Sequence, residues 1–299
     1  MKKTSFLLLA SLLGGATGCV YLGPCLDGSG PVIAEIRELH DFTEVHNEGS
    51  FDVIVERADS FTVEVEAQEN LLPFIETHVS GSALVIRMQN GTCYRSLEHV
   101  RVHVRCPQLE QVQLSGSGTV EADVVFGDRP ECINSGSGRV RVDSLAGTAL
   151  YVKNSGSGEV VLGLSVADEA EIVQTGSGTI DGGTLEEVAY LSVSHSSSGR
   201  VSAIVPDARE VQANMSGSGR LVLEGFTQTG EYVLSSSGRI DALYLQAGEV
   251  TARNSGSGNI YLYAIDLLDA LITGSGDVIY RGEPTVQFHV TGSGKVRPY

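Results

Sequence analysis

Apolar and polar residues alternate in short runs along most of this chain, and the runs recur with a nearly fixed period. Apolar residues stand two and four positions after a recurring glycine, as at Val140 and Val142, and six positions before it, as at Val152. The residue directly after each of these glycines is polar, as at Arg139. Such alternation is typical of strands with one buried face. The pattern therefore predicts a strand on each side of every recurring glycine.

The recurring glycine ends a Ser-Gly-Ser-Gly sequence, or a near copy of it, which we call the tetrad. Ten tetrads lie between Ser115 and Gly294, and successive tetrads are 18 to 21 residues apart. Their last glycines are Gly118, Gly138, Gly158, Gly178, Gly199, Gly219, Gly238, Gly258, Gly276 and Gly294. A period near 20 residues indicates a solenoid, in which each turn buries the apolar face of its neighbours.

The repeat predicts an all-β fold, a parallel β-helix of about ten turns. We expect it to be right-handed, as parallel crossovers almost always are, and about 45–50 Å long at ~4.8 Å per turn. An antiparallel meander that turns every ten residues is the alternative. The position four before the last glycine reads Asn134, Asn154, Gln174 and His195 in successive repeats. We expect these side chains to point inward and to hydrogen-bond to one another along the rod.

The first 18 residues have the features of a signal peptide. Lys2 and Lys3 precede an apolar segment, and small residues precede Cys19. This arrangement is similar to a bacterial lipobox, which implies cleavage before Cys19 and attachment of palmitate-containing lipid to that cysteine. Ordinary secretion, with Cys19 as a disulfide partner, is the alternative. We expect a membrane anchor in the cell envelope, at the outer membrane, on either its surface or its periplasmic face.

The remaining chain divides into a tether and one domain. Residues 19–31 contain the lipidated cysteine and a Gly- and Pro-rich segment, which predicts a flexible tether. Residues 32–105 carry no tetrads in register and are expected to cap the solenoid that residues 106–299 form. Within this cap, the sequence predicts a short helix over residues 69–78, interrupted near Pro73. It also predicts four strands, Phe51–Val55, Phe61–Val65, Ala83–Met88 and Val100–Val104.

Without Cys19, four cysteines remain, an even number that is typical of two disulfides in an exported chain. The spacing does not determine the pairing. We favour Cys25 with Cys93, and Cys106 with Cys132. No CxxC or paired Cys/His spacing is present in the sequence, so no metal site is predicted.

The charge pattern suggests one candidate binding strip. The net charge of −17 disfavours binding to nucleic acid or to anionic lipid headgroups. Against this background, Arg200, Arg220 and Arg239 occupy the same position in three consecutive repeats. They could bind carboxylates of an acidic glycan or of a protein partner. The alternative is a solvated strand face whose guanidinium groups pair with nearby acids.

The sequence offers little support for an enzyme, and we predict no catalytic residue and no cofactor. His195 lies between two serines, which would suit a hydrolase, but it occupies the same repeat position as Asn154. A nucleophile needs one serine beside a base, whereas the serines here recur in every repeat. A polysaccharide-active β-helix enzyme, which would use clustered carboxylates, remains the remote alternative.

An ordered series of short motifs resembles a known family. The motifs are Gly49–Val55 (GSFDVIV), Asn70–Pro73 (NLLP), Leu84–Ile86 (LVI), Pro107–Leu109 (PQL) and Leu114–Gly118 (LSGSG). Over roughly residues 40–299 the chain resembles the bacterial GIN domain, the putative autotransporter-adhesin head domain. The resemblance implies a right-handed β-helix-like fold on exported, often lipid-anchored proteins, and a role in adhesion. It carries over no catalytic or ligand-binding residue.

Together, these features predict a non-enzymatic lipoprotein of the cell envelope that acts in adhesion or another interaction. Its expected partners are the membrane, through Cys19, and a glycan or protein ligand. A structural or regulatory periplasmic protein is the alternative. The sequence does not determine the oligomeric state.

Overall fold

The structure is a computed structural model that describes residues 25–95, 97 and 99–299, so the predicted signal peptide and Cys19 lie outside the described residues. The prediction of an all-β solenoid is confirmed: stacked parallel strands form about nine turns. This number is close to the ten turns predicted from the tetrads, each of which forms a corner of the solenoid.

The strands fall into three groups along the chain. The first group is β1 (Val32–Arg37), β2 (Glu44–Asn47), β3 (Asp52–Arg57), β4 (Thr62–Gln68), β5 (Ile75–Ser80), β6 (Ala83–Met88) and β7 (Arg101–Cys106). The second group is β8 (Gln111–Leu114), β9 (Thr119–Phe126), β10 (Glu131–Asn134), β11 (Arg139–Ala146), β12 (Ala149–Asn154), β13 (Glu159–Val166), β14 (Glu169–Gln174), β15 (Thr179–Glu186) and β16 (Tyr190–His195). The third group is β17 (Arg200–Met215), β18 (Arg220–Leu234), β19 (Arg239–Asn254), β20 (Asn259–Ile272), β21 (Val278–Arg281), β22 (Thr285–Val290) and β23 (Val296–Pro298).

These strands form two faces of the solenoid. The front face consists of the strands that follow a tetrad: β9, β11, β13, β15 and the first halves of β17 to β20, continued by β21 and β23. The back face consists of the strands that precede a tetrad: β8, β10, β12, β14, β16 and the second halves of β17 to β20, continued by β22. All these pairings are parallel, which excludes the antiparallel meander.

The register places equivalent repeat positions directly beside one another. Val140 pairs with Val160, which pairs with Ile180, and all three side chains are fully buried. On the back face the column that contains Cys132 and Val152 is buried in the same way. The period of the sequence is thus the period of the contacts, and the predicted parity is confirmed for these columns.

The cap reverses the strand direction at the N-terminal end. Strands β6 and β7 form a layer beyond β2 and β3 and are parallel to them. Strand β5 then pairs antiparallel with β6, and β4 pairs antiparallel with both β7 and β1. The four strands predicted for this region each overlap an observed strand. Strands β2 and β3 also contact β8 and β9 directly, so this part of the cap contributes a turn of the solenoid.

The helix predicted over residues 69–78 is wrong. A single 3₁₀ turn, Leu72–Phe74, is present, and β5 begins directly after it. The β-branched residues Ile75, Thr77 and Val79 alternate along β5, which favours a strand. Gly81 (φ 64°) then permits the two-residue turn that returns the chain into β6.

The described part of the predicted tether is held on the cap. The backbone N–H of Leu26 donates to the carbonyl oxygen of Cys93 (2.8 Å), and Cys25 and Cys93 form a disulfide. Nearby, the Asn70 side chain accepts from the Ser29 N–H (2.7 Å) and donates to the Asp27 carbonyl (2.8 Å). Residues 25–31 are therefore part of the folded body rather than a free linker. Within the described residues, no helix has the length and apolar character needed to cross a membrane.

Candidate functional site

The tetrad corners are held from inside by buried amides. Asn154 donates to the carbonyl oxygens of Gly158 (2.9 Å) and of Thr179 in the next turn (3.2 Å), while its Oδ1 accepts from the Gly156 N–H (3.2 Å). Asn47, Asn134 and Asn254 make equivalent sets of bonds. The inward orientation that we predicted is therefore present. The expected hydrogen bonds between neighbouring amides are absent from these corners, because the amide groups bond to the corner backbone instead.

His195 takes part in the same construction and is not placed as a catalytic base. Its ring is buried, and Nε2 lies 2.9 Å from the carbonyl oxygen of Gly199. Burial lowers the pKa of His195 below its usual value of 6.5, which keeps the ring neutral. In the tetrad that follows His195, Ser197 stands where most tetrads have their first glycine. Its hydroxyl donates to the carbonyl of Gly176 in the preceding turn.

On the outer side of these corners, the first and third residues of every tetrad are exposed. They form two columns of hydroxyl groups along the rod: Ser115, Ser135, Ser155, Thr175, Ser196, Ser216, Ser235, Ser255, Thr273 and Thr291, and Ser117, Ser137, Ser157, Ser177, Ser198, Ser218, Ser237, Ser257, Ser275 and Ser293. The columns run beside the front face, so a ligand on that face would also meet hydroxyl groups.

The arginine strip lies on the front face, next to these hydroxyls. In the register of the parallel strands, Arg200 lies beside Arg220, and Arg220 lies beside Arg239. The three side chains therefore stand side by side, as predicted. Among residues 25–95, 97 and 99–299, no carboxylate lies within ion-pair distance of Arg200, which is exposed. This arginine is the member of the strip that is available to a ligand.

The other two arginines share one carboxylate. Asp241 lies 2.6 Å from Arg220 and 2.9 Å from Arg239, and its side chain is only 9% exposed. The Arg239 guanidinium also stacks on the Tyr261 ring, 3.8 Å from its centre. Nearby acids were the alternative explanation for the strip, and Asp241 fulfils that role for two of its three members. Asp241 was not among the predicted residues, although its position two residues after Arg239 is visible in the sequence.

The cysteines are divided between a disulfide and two buried thiols. Cys25 and Cys93 are bonded, whereas Cys106 and Cys132 are not paired. The pairing suggested for these two does not form, because Cys106 ends β7 in the cap and Cys132 lies in the core column of β10, on the other face. Burial raises the pKa of Cys106 to about 11 and that of Cys132 to about 12, so both thiols remain protonated.

A groove on the back face was not predicted. It has a volume of about 310 Å³, and its lining includes Arg129, Glu169, Glu171, Tyr190 and Glu210. These residues recur at nearly the repeat spacing, and that spacing could have revealed them. In the part of the chain that the structure describes, no group of three His, Cys, Asp or Glu side chains is arranged to hold a metal ion.

Comparisons with known proteins agree with this architecture. Two solved structures of putative adhesins are similar to the chain, one from Parabacteroides distasonis (21% identity, TM-score 0.53, 92% of this chain and 100% of that chain) and one from Parabacteroides merdae (20%, 0.56, 93% and 100%). A third, a putative lipid binding protein from Parabacteroides distasonis, is 25% identical (TM-score 0.55, 92% and 100%). A comparison with curated proteins found no match.

The family comparison covers most of the chain. A family model described as "Putative auto-transporter adhesin, head GIN domain" matches residues 41–208 and 188–284. The two matched segments overlap and together include β2 to β7 of the cap and all of the tetrads except the last. The chain therefore belongs to the GIN-domain family of adhesin head domains.

Proposed function

We propose that this protein is a non-enzymatic adhesion module of the cell envelope, anchored by lipid on Cys19, that binds an anionic ligand along its front face. Membership of an adhesin family supports an interaction role at or outside the envelope. The sequence that ends at Cys19 supports the anchor. A uronic-acid glycan is the ligand class that best matches the front face.

The observation that carries the choice of ligand is the unpaired guanidinium of Arg200 beside exposed tetrad hydroxyls. A guanidinium presents paired N–H donors that match a carboxylate, and hydroxyls suit the polar edges of a sugar. Arg220 and Arg239 keep the strip cationic because they share a single Asp241. Because the chain has a net charge of −17, an anionic ligand would be repelled along most of the rod and attracted only at this strip.

The non-enzymatic assignment has its own support. His195, which suggested a hydrolase, uses its Nε2 on the backbone of its own corner and lies inside the solenoid. The exposed tetrad serines recur at every turn, without a base that distinguishes one of them. An interaction surface explains the repetition, because an extended ligand can contact equivalent groups on successive turns.

Binding of purified protein to immobilised hyaluronate, with uncharged dextran as reference, tests the proposed ligand. Arg200→Ser should weaken binding about tenfold, as expected for the loss of one charge-assisted contact. Arg253→Ser is the matched control, because Arg253 is an exposed arginine of the back face that pairs with Glu231. Equal binding by the two variants, or equal binding to dextran, would contradict the assignment.

A further inference from the structure

The back face contains a cation site that the chain fills with its own side chain. Glu131, Tyr151 and Glu171 stand side by side in three consecutive strands. The Arg129 guanidinium lies over the Tyr151 ring, 5.4 Å from its centre, and within 3.8 Å of Glu131 and 3.7 Å of Glu171. An aromatic face flanked by two carboxylates thus holds one guanidinium. We call Glu131, Tyr151 and Glu171 the filled triplet.

A second triplet has the same composition and order. Glu169, Tyr190 and Glu210 stand side by side in β14, β16 and β17, in the column next to the filled triplet. Tyr190 is 45% exposed, and Glu169 is exposed. Over the described ranges, no Lys, Arg or His forms an ion pair or a ring contact with these three side chains. We call them the open triplet.

The open triplet lines the groove on the back face. Ala149, which lies beside Glu169 in the strand register, adds an apolar outward side chain, and Glu171 and Arg129 of the filled side also line the groove. Gln212 donates to Glu210 (2.6 Å), which holds that carboxylate in place. The groove therefore combines an aromatic ring, an apolar surface and excess negative charge.

We propose that the open triplet binds the guanidinium group of an arginine side chain supplied by a protein partner. The filled triplet is the physical precedent, because the same three residue types hold Arg129 in the adjoining column. Guanidinium groups stack on aromatic rings and pair with carboxylates at the same time. The apolar lining suits the methylene stem of arginine. This site lies on the face opposite to the arginine strip and involves ligand chemistry of the opposite charge, so it goes beyond the proposed function.

A titration with a blocked tripeptide, acetyl-Gly-Arg-Gly-amide, tests the proposal. The full chain would carry Cys19→Ala, to keep it in solution, and ring-labelled tyrosine for NMR detection. We expect a Kd on the order of 1 mM for a single side chain, with shifts at Tyr190. The citrulline analogue, which has the same shape without the charge, should not bind, and the lysine analogue should bind more weakly than arginine.

Variants separate the site from general attraction to an acidic protein. Tyr190→Thr should weaken binding at least about tenfold, and Glu169→Gln or Glu210→Gln about three- to tenfold each. Glu249→Gln is the matched control, because it removes an exposed carboxylate from the same column beside a threonine, outside the groove. Its affinity should change by less than about twofold. All these side chains face outward, and the thermal unfolding midpoint checks that each variant is folded.

The filled triplet provides an independent test. Arg129→Gln removes the internal guanidinium and should turn the filled triplet into a second site, with peptide-dependent shifts at Tyr151 as well as Tyr190. Binding of citrulline as tight as that of arginine would overturn the proposal. So would equal losses in Tyr190→Thr and Glu249→Gln. Failure of hyaluronate binding would leave it intact, because the two sites are on different faces.

Discussion

Two corners of the same solenoid, at Asn154 and at Leu234, satisfy their backbone groups in different ways. At Asn154 the amide binds the corner from inside, and the second tetrad residue is Gly156. At Leu234 no amide is available, and the second tetrad residue is Ser236, whose hydroxyl donates to the Gly217 carbonyl and accepts from the Gly238 N–H (3.3 Å). The Ser236 hydroxyl thus supplies hydrogen bonds at a corner where no side-chain amide is present. The two tetrads with serine in the second position, at Ser197 and Ser236, both follow an inward residue that is not an amide.

The corner at His195 resembles the one at Leu234. Only Nε2 of the imidazole contacts the corner backbone, while Nδ1 is buried without a partner, and the tetrad that follows has Ser197 in place of glycine. A serine is not required at every corner without an amide, because Leu114, Met215, Ile272 and Val290 precede tetrads that retain glycine in the second position. Nothing in the structure explains why those four corners need no serine.

Gly156→Val should have the largest effect, because it forces a branched side chain into an amide-held corner. None of the tetrad glycines has a positive φ; instead, a Cβ at Gly156 would overlap the Gly136 carbonyl oxygen. We expect a loss of roughly 4 kcal/mol in unfolding free energy. Gly127→Val is the control and should lose only about 1 kcal/mol, because a Cβ there would first meet the flexible side chain of Glu110, at 3.1 Å, rather than backbone. Denaturant unfolding of both variants measures the difference, and equal losses would refute the steric explanation.

Asn154→Leu should have the next largest effect, because it imitates the Leu234 corner without its serine. The Gly156 N–H and the Gly158 and Thr179 carbonyls lose the hydrogen bonds that the amide makes to them. The expected loss is about 2–4 kcal/mol. Asn154→Gln should lose less, because Gln174 occupies the equivalent position and its side-chain amide donates to the carbonyls of Gly176 and Gly178 (2.8 Å each). Equal losses in Asn154→Leu and Asn154→Gln would contradict the role of the amide.

Acidification should distinguish the His195 corner from the amide-held corners. The buried ring has a lowered pKa, so the unfolded chain binds a proton more readily than the folded protein does. Its contribution to stability is complete above pH 6.5 and is lost as the pH falls below that value, by up to about 1.4 kcal/mol per pH unit. His195→Asn should remove this part of the pH dependence. Parallel pH dependences of wild type and variant between pH 7 and pH 5 would contradict the argument.

The smallest effect concerns local opening of the amide-held corners. Cys132 lies two residues before Asn134 and pairs with Val152, whereas Cys106 lies in the cap. Both thiols should resist a thiol reagent at about pH 8, because burial raises their pKa. If Asn154→Leu loosens its own corner, labelling of Cys132 should become roughly tenfold faster, while labelling of Cys106 serves as the internal control. Equal acceleration of both thiols would indicate global destabilisation instead.

The solenoid could be predicted because the chain stacks in register. When equivalent positions are neighbours, a period in the sequence is directly a pattern of contacts, so Val140, Val160 and Ile180 identify a core column. The cap could not be predicted in the same way. Its layers do not follow chain order, since β2 lies between β6 and β8, and a strand replaced the expected helix at Ile75.

The binding surfaces were only partly visible in the sequence. The arginine strip lies in a single column, and the spacing therefore revealed it. Contacts between columns were missed, because they depend on which side chains reach diagonally across the sheet. Asp241 reaches both Arg220 and Arg239, and Arg129 reaches over Tyr151 from the preceding turn segment. The open triplet was not predicted, because Glu169, Tyr190 and Glu210 become neighbours only through the register of β14, β16 and β17.

Protease accessibility on intact cells tests the central claim most directly. If the protein is a lipid-anchored surface module, added protease should remove it from whole cells, and Cys19→Ala should release it into the medium or abolish its retention. If the wild type is protected until the envelope is broken, the protein faces the periplasm. That result would contradict the adhesion role and favour a structural or regulatory function there.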